Sequence, residues 1–433
     1  LRHRRRLGAA GTVAIVVETL GADFFADPQS YYRRWRARGP VHRVRFPDET
    51  ERWLVIGYPE ARAALADSRL RKDITNLNAV ISAQRADAAA DPRTLALMSH
   101  MLNSDPPVHT RLRKLVTKAF TTRRIALLRP RIEQIADDLL DALRGRDRAD
   151  LLAEFAVPLP ITVICEMLGV AVTDRDSFRR WTTDLVGVVG REEQRRQSTV
   201  AMAGFLADLV RDKIARPGED LLSALAHTTD DGDRLTPAEL VSMSFLLLVA
   251  GYETTVNLIG NGASALLRTP DRMAELCADP TRISAAVEEF LRFDGPVDLS
   301  MARYTAEPIT LGDTEIPAGE VVYIALAAAN HDPSRFSHPD ILDPAADRTG
   351  HLAFGHGIHF CLGAPLARME ATIAFTALLR HFPALRPDPD ATPLRWYEST
   401  LIRGLVELPV LLRDSSAGSW PDSAAPRNHR KNR

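Results

Sequence analysis

The sequence predicts a mainly α protein with minor β sheets, folded as a single large domain. Three observations carry that prediction. A helix-start signal at Thr236 is followed by no proline between Pro237 and Pro270. Apolar residues recur at helical spacing through much of the chain. No internal repeat or dividing linker interrupts the 433 residues. Residues 21–413 are taken as the domain, 1–20 as a disordered N-terminal extension, and 414–433, rich in Ser, Pro, Asp and Arg, as a disordered tail.

In chain order, Val41 to Phe46 and Arg52 to Gly57 are rich in β-formers and flank the turn-prone Pro47-Asp48-Glu49-Thr50, which reads as a hairpin. Asp105-Pro106-Pro107 breaks the chain before a basic helical pattern, and Ile132 to Leu143 continues apolar residues at helical spacing. Thr236-Pro237-Ala238-Glu239 combines an N-cap Thr, a first-turn Pro and a third-position Glu. A helix from there to Leu267 is roughly 45–50 Å long at the usual rise per residue. Its stretch Phe245 to Ala250 is apolar all round, so it should run through the centre of the protein. A shorter helix follows at Ile283 to Arg292, mixed turns and strands occupy Pro296 to Ala327, a helix runs from Ala364 to Leu379, and strand-like Leu401 to Leu412 closes the fold.

Composition excludes several function classes. Lys plus Arg is 55 against 56 Asp plus Glu, a formal charge of −1, which gives no global attraction to nucleic acid or anionic membrane. The three cysteines, Cys165, Cys277 and Cys361, are too scattered for a disulfide framework and fit a reducing compartment, with the cytoplasm as default. The apolar run Ala9 to Val17 behind Arg4 to Arg6 is too short to cross a bilayer, so no stable membrane insertion is expected. No Rossmann fingerprint or flavin domain is attached.

Chemistry concentrates at Phe354-Gly355-His356-Gly357-Ile358-His359-Phe360-Cys361-Leu362-Gly363, where three glycines and a thiol precede a helix. Such a loop brings backbone close to a ligand. Backbone N–H groups and the positive helix end should hold the sulfur ionised. Three readings compete: a haem thiolate, a zinc site built from His351, His356, His359 and Cys361, or a buried structural cysteine. Farther upstream, Ala250-Gly251-Tyr252-Glu253-Thr254-Thr255 interrupts the apolar centre of the long helix. Gly251 costs the helix about 1 kcal/mol relative to Ala while letting a flat cofactor or diatomic ligand approach, and Thr254 can bond back to a carbonyl. The bland alternative is a kink with Glu253 facing a solvated groove.

The cysteine loop resembles the haem-binding signature of cytochrome P-450 enzymes, and three further segments match that family in the right order. The resemblance implies the cytochrome P-450 fold, with haem b between the long central helix and the cysteine-loop helix. It implies that Cys361 is the axial ligand of the haem iron and that Phe354 packs near the sulfur. Thr254 aligns with the threonine that steadies activated oxygen and Glu253 with the acid that relays protons, while Tyr252 stands at a variable position without an assigned role. His109 and Arg113, an HxxxR pair on one helix face, match propionate-binding positions together with Arg303 and His359. Glu289 and Arg292 match the family's ExxR element, a structural lock beneath the haem loop. The family's arginine that completes this lock is replaced by Ile341, and Ala346 also stands where Arg is frequent; Arg335 or Arg348 are the candidate replacements.

The resemblance also lines a substrate pocket with the loop Thr75 to Met101, the segment Trp181 to Met202, Leu247 and Ala250, Val297 and Leu299, and Thr400, Leu401 and Ile402. Most are apolar or small, which suits a lipophilic molecule such as a polyketide, macrolide, terpenoid or steroid. The expected activity is a monooxygenase that uses O2 to hydroxylate or epoxidise such a molecule, with NAD(P)H electrons arriving through ferredoxin reductase and ferredoxin. The basic run Arg111, Lys114, Lys118, Arg123 and Arg124 is the expected ferredoxin face. Oxidative coupling of phenols or peptides on the same haem, a non-catalytic haem scaffold and a zinc-dependent hydrolase stay as competing readings.

Overall fold

The computed structural model describes residues 17–85, 90–185, 192–346 and 348–413. The tail at 414–433 and most of the extension expected at 1–20 lie outside these residues. The described end of that extension is folded: Glu18 pairs with Arg34 and Arg38, and Leu20 is buried with Phe24, Tyr32 and Trp35. The packed chain therefore begins before Gly21, because Leu20 supplies apolar area to this aromatic cluster.

The long helix spans Pro237–Leu267. Thr236 Oγ1 accepts the Glu239 N–H at 3.2 Å and Glu239 accepts the Thr236 N–H at 2.8 Å, the reciprocal cap that the sequence predicts. Nearly every residue from Val256 to Leu267 is buried. The helix is long and apolar enough to cross a membrane, but 72% of its most apolar window is buried inside the protein, so its hydropathy is that of a core element. Around it pack Pro158–Leu168, Ile283–Asp294 and Ala364–His381. The basic pattern after Pro107 forms two helices, Val108–Ala119 and Thr122–Asp141, divided where Thr121 caps the second by accepting the Arg124 N–H.

The expected hairpin pairs Val41–Arg45 with Glu51–Val55 in antiparallel register. It forms one edge of a five-stranded mixed sheet, continuing through Val321–Ile324 and Arg303–Thr305 to Leu70–Arg71. The last two strands bring Arg303 and the residue after Arg71 to one rim of the molecule's interior cavity. The closing segment departs from expectation. Only Pro409–Leu411 is a strand, while Ile402 and Leu405 make single bridges to Val297 and Trp396. Gly404 is pressed so closely on the central helix that a Cβ there would lie 1.8 Å from Asn257 Oδ1, so the chain follows that helix instead of a sheet edge.

Candidate active site

The cysteine loop forms the floor of an interior cavity of about 540 Å³. Gly355 and Gly357 have φ of 73° and 74°, and a Cβ at Gly357 would sit 3.1 Å from the Leu65 carbonyl, so the loop can only take this close path with glycine. The Cys361 N–H donates to the Phe354 carbonyl at 2.9 Å, which closes the turn. Arg368 lies 4.5 Å above the Phe354 ring and is held by both oxygens of Glu288, at 2.6 and 2.9 Å. Burial pushes the Cys361 thiol above its ordinary value, and the N–H groups of Gly363 and Ala364 with Arg113 and Arg368 only partly offset that. A metal bound at the sulfur would favour the thiolate.

The central helix forms the roof. Thr254 Oγ1 donates to the Ala250 carbonyl at 2.5 Å and Thr255 Oγ1 to that of Gly251 at 3.2 Å, so both hydroxyls draw on carbonyls one turn back. Glu253 is 8% exposed, which replaces the solvated-groove alternative with a buried carboxyl. Burial lifts it to about 7, against a smaller opposing contact from Asn257, whose amide also donates to the Glu253 carbonyl at 2.7 Å. Gly251 borders the cavity, yet a Cβ there would meet Ile164 Cδ1 at 3.2 Å. Its missing side chain therefore serves helix packing as well as ligand access.

One edge of the cavity gathers cations and imidazoles. His109 and His359 pack edge to face, 4.4 Å apart. Both ring nitrogens of His109 and Nε of Arg303 are buried without a hydrogen-bond partner. Arg113 donates to the Phe360 carbonyl at 2.7 Å and Arg303 to the Leu70 carbonyl at 3.3 Å. Burial lowers His109 and Arg303, the latter to about 10, and drives His359 far below the ordinary imidazole value. The histidines are thus neutral donors and the arginines fixed charges. Buried donors without acceptors on one edge, apolar walls and a thiol on the floor fit a flat apolar group with carboxylates on one side and a metal at its centre, as haem has.

Sequence reasoning singled out neither Lys72 nor Glu370, and took in His100 only as part of the expected lining loop Thr75 to Met101; all three face the cavity. His100 stacks on Phe245 with Nδ1 unpartnered and is lowered by burial to about 3. Glu370 is buried with Oε2 unpartnered and is raised to about 8. Lys72 and Glu370 belong to no spacing motif, so only the folded chain reveals them. The zinc reading fails on geometry. Among the described residues no three His, Cys, Asp or Glu side chains converge, and His351 is instead spent on Glu288 at 3.1 Å.

Beneath the floor, Arg292 binds both oxygens of Glu289 at 2.7 and 2.9 Å, and both side chains are fully buried. Arg348 supplies the missing third charge, its Nε 2.8 Å from Glu289 Oε2 though off-line for a hydrogen bond. Arg335 does not, being bound to the Thr349 carbonyl and stacked 4.8 Å from Phe336. At position 341 the side chain is 56% exposed, and its carbonyl accepts from Arg292 at 3.3 Å. The lock is thus completed from a position farther along the chain.

Of the expected pocket residues, Leu247, Ala250, Val297, Leu401 and Ile402 face the cavity, and Phe354 joins them. Leu299 and Thr400 do not. Leu299 is packed into the cluster of Phe24 and Tyr32, and its N–H donates to the Thr400 carbonyl at 3.2 Å, so this pair is spent on the wall's backbone. From the two flanking segments, Thr94, Leu97, Met98, Leu185 and Thr199 reach the cavity, while Trp181 and Met202 pack in the core. On the outer face, Arg111 is bound to Asp233 and Glu239, and Lys114 and Lys118 share Asp230 at 2.5 Å each. Part of the basic run is therefore neutralised within the chain.

A cytochrome P450 family profile matches residues 190–409. The chain is 51% identical over 388 residues to cytochrome P450 107B1 of Saccharopolyspora erythraea, covering 89% of this chain and 95% of that one. It is 40% identical to the polyketide biosynthesis cytochrome P450 PksS of Bacillus subtilis, across 90% of this chain and 97% of the relative. Among solved structures, the tirandamycin C-bound P450 monooxygenase TamI superposes with a TM-score of 0.85 at 47% identity, covering 92% of this chain and all of TamI.

Proposed function

The chain belongs to the cytochrome P450 family and is a haem-dependent monooxygenase that uses O2; from that premise we propose that it hydroxylates or epoxidises a lipophilic polyketide, with Cys361 as iron ligand. One observation carries the site assignment: a half-buried thiol faces the central helix across a cavity whose edge holds donors without acceptors. When bound, the haem supplies reductive O2 activation and transfer of one oxygen atom to substrate.

The chain's own residues fix how that chemistry is served. His109, Arg113, Arg303 and His359 hold the propionates, the arginines by charge and the neutral imidazoles by N–H donation. Glu253, near 7, is half protonated around neutral pH and can both give and recover a proton on the cavity side of the helix. Thr254 stands next to it with its hydroxyl hydrogen turned to the Ala250 carbonyl, which leaves the hydroxyl oxygen free to accept a hydrogen bond in the cavity. Leu247, Ala250, Val297 and Leu401 give an apolar wall that excludes water and orients the substrate by shape.

The polyketide class rests on the relative named for polyketide biosynthesis and on the apolar wall. Electrons are assigned to NAD(P)H through ferredoxin reductase and ferredoxin in the cytoplasm. Arg111, Lys114 and Lys118 are balanced by Asp230, Asp233 and Glu239, and the exposed Arg123 and Arg124 next to them give the outer face the positive charge that favours an acidic partner. Purified enzyme with a ferredoxin, its reductase and NADPH should convert an apolar polyketide to a product one oxygen atom heavier, with the label of 18O2 incorporated. A labelled product absent from every polyketide but present with steroids would overturn the substrate class.

A further inference from the structure

Lys72 follows the edge strand Leu70–Arg71, whose antiparallel partner carries Arg303. It is 4% exposed and lines the cavity. The nearest acid, Asp105, is already committed: its carboxylate accepts the backbone N–H of Lys72 at 3.0 and 3.1 Å and that of Asp73 at 2.9 Å. The Asp105 carbonyl accepts the His109 N–H at 3.0 Å, so the same residue ties the strand end to the start of the basic helix. The Lys72 ammonium is left with no hydrogen-bond or ion-pair partner among the described residues. It is close enough to His100, His109 and His359 to disfavour their protonation, and its own protonation is disfavoured first by burial and then by Arg303, which hold Lys72 well below the ordinary lysine value.

An ammonium held out of water beside a guanidinium, with no anion, is unfavourable unless a ligand brings one. Haem brings two carboxylates. Arg113 and Arg303 each donate to one backbone carbonyl, and Arg303 and Lys72 are the deeply buried cations on this edge without a carboxylate. We propose that Lys72 is a cofactor-binding residue, a further cation that joins Arg303 and Arg113 in neutralising the haem propionates. This rests on the reading of the cavity as the haem site.

The test uses the haem-loaded enzyme and its Lys72→Met and Lys72→Arg variants. Removing a charge-assisted hydrogen bond should speed haem loss to excess apomyoglobin by about tenfold or more. Removing a cation at the propionate edge should also shift the ferric/ferrous potential to a more negative value. Lys72→Arg should restore both, while its different donor geometry shifts the propionate-bending band in the resonance Raman spectrum. Wild-type retention and potential in Lys72→Met overturn the proposal, as does Lys72→Arg losing haem as fast as Lys72→Met. If Lys72→Met accumulates without haem, the Raman band of Lys72→Arg decides, and an unshifted band counts against it. A wild-type protein without porphyrin would instead sink the haem reading itself.

Discussion

Replacing Arg348 by Ala removes one of the two guanidinium groups on Glu289 and leaves a fully buried carboxylate with a single counter-charge. Losing one partner of a buried ion pair costs about 3–5 kcal/mol. The lower end applies, because Glu289 keeps both contacts to Arg292 and the Asp343 N–H at 2.8 Å. With an unfolding entropy of about 2.1 cal/mol/K per residue over about 400 residues, ~3 kcal/mol lowers Tm by ~4 °C. Arg335→Ala is the control, since that side chain is exposed and makes no contact with Glu289; its loss should cost under ~1 kcal/mol, about 1 °C. The assay is the thermal midpoint followed by the haem absorption band, with haem content per protein measured alongside. If Arg348→Ala melts with Arg335→Ala instead of well below it, Arg348 is not the third member of the lock.

Thr254→Ala should retain haem yet raise the reductant consumed per product several-fold, and unchanged coupling removes Thr254 from proton handling. Burial raises Glu253 from 4.5 to about 7, so the folded state holds a proton that the unfolded chain has released, and stability contributed by this group falls as pH rises from about 4.5 to about 7. Glu253→Gln should flatten that slope in thermal midpoints taken across the interval, and an unaltered slope contradicts the assignment. Charge reversal at Lys114 and Lys118 together should slow reduction by ferredoxin at low salt and lose its effect at high salt. Equal rates at low salt would place the electron donor elsewhere.

What the sequence disclosed and what it hid divide along physical lines. The central helix was readable because its cap, its proline-free length and its apolar girth are local properties, and the same holds for the glycine-rich turn before Cys361. Arg348 could only be shortlisted with Arg335, since the choice depends on how a loop without regular structure folds back beneath Ile283–Asp294. Leu299 and Thr400 looked like wall residues, but a bridge to Ala325 turns Leu299 into the core, and Thr400 is half-buried with its carbonyl accepting the Leu299 N–H. At Cys361 burial acts against the helix-end donors, and only the donors can be read from sequence. Lys72, His100 and Glu370 carry no spacing signal at all; what marks them is the absence of partners inside a cavity, which exists only in three dimensions.

The central claim is a sulfur–iron bond at Cys361, and the absorption spectrum of the dithionite-reduced, carbon-monoxide-bound protein tests it directly. Thiolate ligation predicts the strongly red-shifted haem band in the wild type and its loss in Cys361→Ser. A wild-type band at the position of imidazole-ligated haem, or a spectrum unchanged by that substitution, contradicts it.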